Sequence, residues 1–242
     1  MNYTGADTVR ISAEFERRAR ELPADFYAWN KPSNLLLHEH ALRGCIPMLH
    51  RASLFPLTGR RIADIGCGDG TWLLEFLQWG ADAAALCGID LSAERIARAR
   101  RRIPQADLRV GSASELPWPD ESCDLVSQFT VFTSILDPAL KRAVAAEMLR
   151  ILKPGGAILW FDFRVNNPTN PHVCGVPARE IRSLFAGCEI ALASVLLAPP
   201  LARLIAGWSW PLAELLHTLP CLRTHYAGLI RKRRSADDHH GC

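Results

Sequence analysis

The sequence lacks a long run of apolar residues and an N-terminal targeting signal. Its longest uncharged apolar stretch, residues 190–202, has 13 residues and includes Pro199 and Pro200, whereas a membrane-spanning helix needs about 20 apolar residues. Residues 1–7 have neither the basic start nor the apolar segment of a secretory signal. We therefore expect no transmembrane helix, no secretion and a cytoplasmic location.

An excess of charge of either sign is also missing. The chain has 28 Lys and Arg residues against 25 Asp and Glu residues, a net charge of +3. This balance creates no strong field for a polyanion, so we expect no nucleic-acid partner; one short basic tract lies at 231–234. With 49% hydrophobic and 22% charged residues, the composition is typical of a folded globular chain and excludes disordered, collagen-like and coiled-coil proteins.

Cysteine is present, but without the spacing of a disulfide framework or a zinc site. The eight cysteines lie 14 to 51 residues apart, and none belongs to a Cys-x-x-Cys pair. We predict reduced, mostly buried thiols and no metal site. His38 and His40 are two residues apart in a predicted helix, so they cannot share a helix face as a pair of metal ligands.

The length indicates one large domain with additional segments. At about 150 residues per domain, 242 residues correspond to roughly 1.6 domains. We predict a helical lid over residues 1–55 and a main domain over 56–234. The main domain contains an apolar helical insertion at 198–222, and a disordered tail covers 235–242.

Two helices are predicted in the N-terminal segment. Apolar residues with helical spacing precede Pro23, namely Ile11, Phe15, Ala19 and Leu22. A second helix is predicted to begin with Ser33 as N-cap and to end near residue 54. Pro47 should kink or interrupt this helix.

From residue 61 onward, short apolar strands alternate with helices. The predicted strands are 61–65, 84–90, 108–110, 123–128, 157–163, 188–197 and 223–231. The predicted helices are 71–79, 92–103, 138–152, 178–186 and 199–220, with N-caps at Ser92 and Asp137 and a stop at 153–156. Strands separated by helices of this length form parallel βαβ units covered on both faces. The fold class is therefore α/β.

The strongest functional signal is a glycine-rich turn directly after the first predicted strand. Gly66, Gly68 and Gly70 let the backbone turn sharply and approach a ligand closely. The helix that follows directs its free N–H groups at the same point. Asp90 ends the next strand, where a carboxylate is placed to accept hydrogen bonds from ribose hydroxyls. Together these residues predict a cofactor that contains an adenosine-like ribose.

The residues around this turn favour one cofactor over another. A dinucleotide fingerprint requires glycine at position 71, which is Thr71 here. The turn also carries Asp64 and Asp69, which disfavour a pyrophosphate and suit a ligand with a cationic centre. The pattern therefore points away from NAD and toward S-adenosylmethionine.

Four segments resemble motifs of class I S-adenosylmethionine-dependent methyltransferases, specifically the methyltransferase type 11 family. They are 64–70 (DIGCGDG), 88–92 (GIDLS), 116–126 (LPWPDESCDLV) and 147–156 (EMLRILKPGG). The resemblance implies a Rossmann-like, doubly wound, seven-stranded sheet, mostly parallel with the last strand antiparallel. It also implies the following cofactor-binding residues: Asp64, Gly66, Cys67, Gly68, Gly70, Asp90, Leu91, Ser112, Ala113, Gln128 and Phe129. Many family members have an aspartate at position 112 or 113, so this chain departs from the family at the adenine contact.

Residues that act on the acceptor are harder to assign. Methyl transfer mainly requires alignment of donor and acceptor, and a general base is needed only for a protonated acceptor such as an alcohol. Many type 11 relatives have two histidines after the fourth strand, where this chain has Thr133 and Ser134. Our catalytic candidates are Asp162, Arg164 and His172. Our candidate substrate or lid residues are Tyr27, Trp29, Thr133, Asn166, Asn167 and Trp208.

The insertion at 198–222 bears on the acceptor, because Arg203 and Glu214 are its only charged residues. It is open to four interpretations: a cover packed on the sheet, a homodimer face, a lid over an apolar or lipid-linked acceptor, or a peripheral membrane contact. The basic tract 231–234 is expected beside it.

We predict methyl transfer from S-adenosylmethionine to a small-molecule or lipid-linked acceptor, at oxygen, in the biosynthesis of a secondary metabolite or a surface glycan. Alternatives are C-methylation of a quinone-like acceptor, N-methylation of an amine, and a non-catalytic subunit that binds S-adenosylmethionine.

Overall fold

The structure is a computed structural model that describes residues 6–23, 25–167 and 170–233, apart from the side chain of Ala19. Within these residues a seven-stranded sheet carries helices on both faces. The predicted tail at 235–242 lies outside the described residues, as does Arg234 of the basic tract.

The elements follow the predicted alternation of strands and helices. The strands are β1 (Ile62–Ile65), β2 (Leu86–Asp90), β3 (Asp107–Val110), β4 (Cys123–Phe129), β5 (Leu152–Phe163), β6 (Cys188–Leu197) and β7 (Arg223–Lys232). The helices are α1 (Ala6–Glu21), α2 (Pro32–Arg51), α3 (Thr71–Gln78), α4 (Ala93–Arg102), α5 (Pro138–Ile151), α6 (Ala178–Leu184), α7 (Pro199–Ile205) and α8 (Trp210–His217).

The strand order is β3-β2-β1-β4-β5-β7-β6. All pairs from β3 to β5 are parallel, and β7 is antiparallel to both β5 and β6. This confirms the predicted doubly wound sheet with an antiparallel last strand. The carboxyl ends of β1 to β6 and the start of β7 therefore share one edge, which is where open α/β sheets bind their ligands.

Successive residues of the central strands face opposite sides of the sheet and belong to different cores. Leu125 and Leu159 pack with residues of α2, α3 and α4, whereas Val126 and Trp160 pack with residues of α5 and α6. Because both faces are covered, the central strands are apolar at nearly every position, as buried parallel strands require.

The predicted lid at 1–55 divides into two parts with different positions. Helix α2 buries Cys45, Met48 and Leu49 in the core on one face of the sheet, and it also contacts β6 and β7. Helix α1 instead lies at the carboxyl edge, where Arg10 donates hydrogen bonds to the backbone oxygens of Ser134 and His172. Only α1 therefore has the position of a cover.

Helix α2 differs from the prediction at both ends and in the middle. Lys31 is its N-cap and Pro32 its first residue, so Ser33 lies inside the first turn. The helix continues through Pro47 and ends at Arg51, because the buried residues on both sides of the proline hold the two halves on the sheet. The predicted N-caps Ser92 and Asp137 are confirmed, since each side chain accepts a backbone N–H bond.

Two segments after residue 150 also differ from the prediction. The segment 153–156 is part of β5, which starts directly after α5. Gly156 permits this, because a Cβ there would lie 2.8 Å from the backbone oxygen of Asp124 in the neighbouring chain segment. The predicted single helix at 199–220 is two short helices, α7 and α8, followed by a 3-10 turn at 220–222.

The seven cysteines among the described residues are all free, and four of them are buried: Cys45, Cys67, Cys87 and Cys123. This agrees with the predicted reduced thiols. In the same part of the chain, no helix has both the length and the apolar character required to cross a bilayer.

Candidate active site

The glycine-rich turn connects β1 to α3 at the carboxyl edge of the sheet. Gly66, Gly68 and Gly70 have φ values of 69°, 56° and 83°, all in the left-handed region that favours glycine. A Cβ at Gly66 would lie only 2.5 Å from Cγ2 of Val131, which follows β4. The turn therefore needs glycine for its conformation and for its close contact with the neighbouring segment.

Asp90 lies at the end of β2 and faces the turn. One carboxylate oxygen accepts a hydrogen bond from the backbone N–H of Gly68 at 2.9 Å, and the other accepts one from Ser92, also at 2.9 Å. The residue is 8% exposed. Each oxygen retains a lone pair, so the carboxylate is held in place with capacity for further donors. Leu91, the next predicted residue, packs against the core on the α5 side.

Asp64, near the end of β1, is more deeply buried than Asp90. Its carboxylate accepts a hydrogen bond of 2.7 Å from the Ser127 hydroxyl. Burial, together with the nearby Asp90 charge, raises the pKa of Asp64 to about 7, although the Ser127 hydrogen bond acts in the opposite direction. Cys67 is also buried, and burial raises the pKa of its thiol. The turn thus has a buried acid whose charge is poorly compensated by its surroundings.

The turn after β3 is hydrogen-bonded to the end of β2, where Asp90 lies. The backbone N–H of Gly111 donates to the backbone oxygen of Asp90 at 3.1 Å. The Ser112 hydroxyl is hydrogen-bonded to that of Ser114 at 2.8 Å, and Ala113 packs against the core on the α5 side. The predicted adenine contacts, Ser112 and Ala113, therefore lie beside the predicted ribose contact.

Gln128 and Phe129, at the end of β4, have different roles. The Gln128 side chain is fully buried, accepts a hydrogen bond from the Val131 N–H at 3.0 Å and donates to the Phe161 backbone oxygen. It therefore braces the turn after β4. The Phe129 ring stacks on Trp72 of α3, with ring centroids 3.7 Å apart.

Residues 62–156 match the profile of a family described as "Methyltransferase domain". The match begins at β1, includes the glycine turn and Asp90, and ends within β5. Residues 62–156 therefore form a methyltransferase domain, which is similar to those of class I S-adenosylmethionine-dependent methyltransferases. The cofactor of this family is S-adenosylmethionine.

Curated relatives carry methyltransferase names. A phthiotriol/phenolphthiotriol dimycocerosates methyltransferase of Mycobacterium ulcerans is 31% identical over 172 residues, which cover 68% of this chain and 62% of that protein. A demethylmenaquinone methyltransferase of Renibacterium salmoninarum is 35% identical over 111 residues, which cover 46% of this chain and 44% of that protein. The chain thus spans less than two thirds of either relative.

A solved structure shows the same fold. An S-adenosylmethionine dependent methyltransferase from Mesorhizobium loti has a TM-score of 0.56 and 21% identity to this chain, and covers 81% of it and 100% of its own length. At this identity the likeness concerns the fold alone.

Arg95 is a feature of the methyltransferase site that the sequence analysis missed. Its guanidinium lies 3.6 Å from the Asp90 carboxylate, and a Cβ on Gly68 would lie 2.3 Å from Nη2 of Arg95. The ring of Phe15 in α1 packs under the guanidinium, 5.2 Å from its centroid. The only local signal is that Arg95 follows the N-cap Ser92 by three residues, which places it in the first turn of α4.

A chain of aromatic rings links the methyltransferase site to the loop before α2. Trp29 contacts His38 edge-on with centroids 4.7 Å apart, His38 lies 5.6 Å from Trp72, and Trp72 stacks on Phe129. Tyr27 is exposed, and its hydroxyl accepts a hydrogen bond from Arg18. Trp29 therefore approaches the site through other side chains, whereas Tyr27 lies at the surface.

We predicted that Asp162 faces the cleft, but the structure does not place it in an open cleft. It is fully buried, and its carboxylate accepts hydrogen bonds from the backbone N–H groups of Thr133 and Phe163. Burial raises its pKa to about 7. Thr133 is also buried, and its hydroxyl donates to the Cys174 backbone oxygen. This placement favours a role for both residues in holding the turn after β4.

The loop after β5 contains three other candidates. Arg164 donates hydrogen bonds to the backbone oxygens of Pro220 and Arg223, which joins the loop to the start of β7. The Asn166 side-chain oxygen accepts a bond from the Gly175 N–H at 2.9 Å. Asn167 is exposed beside it. Arg164 and Asn166 therefore shape the loop at this edge.

His172 lies beneath α1, in the groove that also contains Phe15 and Ser134. Its Nε2 is 3.8 Å from a carboxylate oxygen of Glu14, and its side chain is 43% exposed. Phe15 of the same helix packs on Arg95, whose guanidinium lies at the glycine turn, so α1 connects His172 to this turn through Arg95. Of our three catalytic candidates, only His172 combines partial exposure with this position.

Trp208 points away from the described site. It is 71% exposed, and its indole N–H donates to the Leu204 backbone oxygen at 3.1 Å. The insertion around it covers the outer end of the sheet and packs on α2, since Leu36 shares a small core with Ala202 and Ile205.

The described part of the basic tract, 231–233, lies at the end of β7, which is the edge of the sheet opposite the insertion. This is contrary to our expectation. Arg231 pairs with Ala157 at the amino-terminal part of β5, and Lys232 pairs with Cys188 at the start of β6. Strand β7 has 10 residues, and a strand rises about 3.3 Å per residue. It therefore carries the tract roughly 30 Å from the insertion.

One group in the described residues has the ligand types of a metal site. Nitrogen atoms of His40 and His217 and a carboxylate oxygen of Glu214 lie within 4.8 Å of one another. However, Arg43 binds both oxygens of Glu214 at 2.9 and 3.0 Å. The Leu197 N–H also donates to Nδ1 of His40, which leaves the proton on the Nε2 that faces the group. The geometry does not favour a metal, and its absence stays a prediction.

Proposed function

We propose that this protein transfers the methyl group of S-adenosylmethionine to a hydroxyl group of a small-molecule or lipid-linked acceptor. The observation that carries the proposal is the convergence of the left-handed glycine turn and the fixed Asp90 carboxylate at the carboxyl edge of the sheet. When bound, S-adenosylmethionine supplies a methyl group on a sulfonium centre, which is already activated for displacement.

The residues present fit this cofactor. Three glycines without side chains allow the ligand to approach the backbone of the turn. The lone pairs left on Asp90 suit two ribose hydroxyls. Asp64 gains a partner for its buried charge if a ligand ammonium binds beside it. Arg95 would have to turn away from Asp90, because its guanidinium contacts the same turn.

The chain's own residues would align the two reactants and exclude water. The turn after β4 is held by Gln128 and Asp162, and it lies against the glycine turn through Val131. Helix α1 covers this region. For a hydroxyl acceptor, we propose His172 as the base that takes the proton, since its imidazole is partly exposed under α1.

Two features support an apolar part in the acceptor. Aromatic side chains line the edge beside the glycine turn, with Trp72, Phe129 and Phe161 in mutual contact. The two relatives are named for dimycocerosates and for demethylmenaquinone, and relatives of this kind act on small or lipid-linked substrates. The first name also contains a triol, which supports oxygen as the accepting atom.

C-methylation of a quinone-like acceptor is the second candidate function. It is favoured by the relative named for demethylmenaquinone. Assays with radiolabelled S-adenosylmethionine should therefore compare a long-chain diol with a prenylated naphthoquinol. Label recovered on oxygen supports the proposal, and label recovered on ring carbon supports the second candidate.

Calorimetry with S-adenosylhomocysteine tests cofactor binding separately from turnover. Asp90→Ala should weaken binding by about 1–3 kcal/mol, because charge-assisted hydrogen bonds are lost. The matched control is Asp82→Ala, an exposed carboxylate that precedes β2. No binding by the unaltered protein at millimolar ligand would contradict the proposal. Binding without transfer to either acceptor would favour a non-catalytic subunit.

The role of His172 requires its own test. His172→Gln should lower kcat with a hydroxyl acceptor by roughly 100-fold or more and should leave affinity for S-adenosylhomocysteine unchanged. A shift of the pH–rate profile would accompany the loss, because a general base sets the acidic limb. An unchanged kcat would remove His172 from the mechanism.

A further inference from the structure

The insertion has an exposed apolar face that the proposed chemistry does not use. We call it the apolar stripe, and it consists of Pro200, Leu204, Trp208, Pro211, Leu215 and Leu219, all of them exposed. Leu204 is 70% and Leu215 63% exposed. Pro200 and Leu204 lie on α7, and Pro211 and Leu215 lie on α8. Trp208 lies in the turn between the helices, where its indole N–H donates to the Leu204 backbone oxygen, and Leu219 follows α8.

The opposite face of the same helices is already packed. Ala202, Ile205, Ala206 and Ala213 are buried against Leu36 of α2 and Leu197 of β6. The insertion is thus a cover with a satisfied inner face and an outer face of large apolar side chains. Contiguous exposed apolar surface of this kind marks an interaction site.

The charges at the borders of the stripe indicate what covers it. Arg203 packs on the Phe26 ring, Arg223 donates to the backbone oxygens of His217, Thr218 and Ser194, and Arg164 donates to those of Pro220 and Arg223. Among the described residues, none of the three guanidinium groups has a carboxylate partner. The single carboxylate of the insertion, Glu214, is neutralised by Arg43. Asp25, next to Phe26, is paired with Lys31. Among the described residues, the charges at the borders of the stripe that lack an opposite partner are therefore the three arginines.

We propose that the apolar stripe docks on the surface of a lipid bilayer that contains anionic headgroups. Leucine and tryptophan side chains would enter the boundary between headgroups and acyl chains, and the three arginines would contact lipid phosphates. Exposed Tyr27 contacts the Phe26 ring on which Arg203 packs, and such rings are typical of membrane–water interfaces.

The position of the stripe relates this docking to the site. The insertion leaves β6 and enters β7 at the carboxyl edge of the sheet. One end touches the loop before α2 through Arg203, and the other touches the loop after β5 through Arg164. A docked molecule would therefore present this edge to the bilayer. The docking rests on the surface alone, and only delivery of a lipid-linked acceptor rests on the proposed function.

Co-sedimentation with vesicles tests the proposal. The full chain is mixed with vesicles of equimolar phosphatidylglycerol and phosphatidylcholine, and we expect it to bind. Leu204→Ser combined with Leu215→Ser should reduce partitioning by roughly tenfold or more, because two large side chains no longer leave water. Val110→Ser is the matched control, since Val110 is 50% exposed on β3 at the far end of the sheet; it should bind as the unaltered protein does.

A second set of measurements tests the electrostatic part. Arg203→Gln should weaken binding to the mixed vesicles by roughly fivefold and should have no effect on vesicles of phosphatidylcholine alone. Circular dichroism checks the folding of each variant, and we expect all of them to remain folded because the substituted side chains are exposed.

Several results would overturn the docking proposal. They are failure of the unaltered protein to bind either vesicle, equal binding by the Leu204/Leu215 variant, and a solution dimer that this variant converts to monomers. Calorimetry with S-adenosylhomocysteine on the same samples separates the two proposals. Normal cofactor binding without vesicle binding rejects only the docking. Vesicle binding without cofactor binding rejects only the methyl transfer.

Discussion

Replacing Arg95 by alanine tests whether its guanidinium holds the cofactor site closed in the free protein. The guanidinium is 3.6 Å from Asp90, contacts the turn at Gly68 and packs on Phe15 of α1. A ligand that uses Asp90 must displace these contacts. Arg95→Ala removes them in advance, so we expect tighter binding of S-adenosylhomocysteine.

The structure sets the size of the effect. The Arg95 side chain is 33% exposed, so its ion pair with Asp90 contributes on the order of 0.2–1 kcal/mol, as for partly exposed pairs. The contact with Phe15 adds about 0.5–1 kcal/mol. The sum of about 0.7–2 kcal/mol corresponds to roughly 3- to 30-fold tighter binding.

Calorimetry at low and high salt measures this change. Arg98→Ala is the matched control, because Arg98 lies on the same helix and pairs with Glu94 instead of Asp90. It should bind the ligand like the unaltered protein. The gain from Arg95→Ala should shrink at high salt, since screening weakens the ion pair in the unaltered protein.

Weaker binding by Arg95→Ala would refute this reasoning. It would mean that the guanidinium turns toward the ligand carboxylate once the site is filled. Unchanged binding would also refute it, because the contacts of Arg95 would then have no influence on the free state.

Three further predictions concern the same edge of the sheet. Burial raises the pKa of Asp64 to about 7, and a cationic ligand group needs the ionised form of this carboxyl. Calorimetry should therefore show that affinity for S-adenosylhomocysteine increases as the pH is raised toward 7, by up to about tenfold per pH unit. Burial lowers the pKa of His225 from 6.5 to about 3, so the folded state loses stability as pH falls through this window, by up to about 1.4 kcal/mol per unit in urea unfolding. Gly66→Ala puts a methyl group 2.5 Å from Val131 in left-handed backbone; it should lower the free energy of unfolding by about 2 kcal/mol or more and prevent ligand binding.

Each of these predictions has a control. Asp64→Asn should flatten the pH dependence of affinity, and a profile that keeps its slope would exclude Asp64 as the cause. His225→Phe should make the acid limb of stability shallower, and an identical limb would assign acid sensitivity elsewhere. Gly59→Ala has a similar φ of 71° but no atom within 4 Å of the added Cβ. If it destabilises as much as Gly66→Ala, crowding against Val131 is not the reason.

The sheet and the glycine turn could be predicted because their signals are local. Strand periodicity, helix caps and three glycines after a strand depend on residues close together in sequence. The predicted bounds of β6 and the N-cap at Asp137 are correct for this reason. The predicted interruption of α2 at Pro47 was wrong, because burial on both sides of Pro47 outweighs the usual effect of proline.

The acceptor side of the site could not be predicted in the same way. Asp162 and Asn166 are polar residues after a strand, and the sequence does not distinguish a carboxylate in a cleft from one that accepts backbone N–H bonds in the core. Only the packing of the turn after β4 on β5 shows that Asp162 is enclosed. Arg95 was missed because its contact with Phe15 joins residues that are 80 positions apart.

The sequence by itself determined the fold class, the cofactor and the residues of the glycine turn, because a strand, a tight turn and a terminal aspartate form one short continuous unit. The tertiary structure decided which surfaces remain open. It buried one face of the insertion on α2 and left the apolar stripe exposed, and it carried the basic tract to the opposite edge through β7. These outcomes depend on which distant segments pack together, and the periodicity of the sequence does not specify that packing.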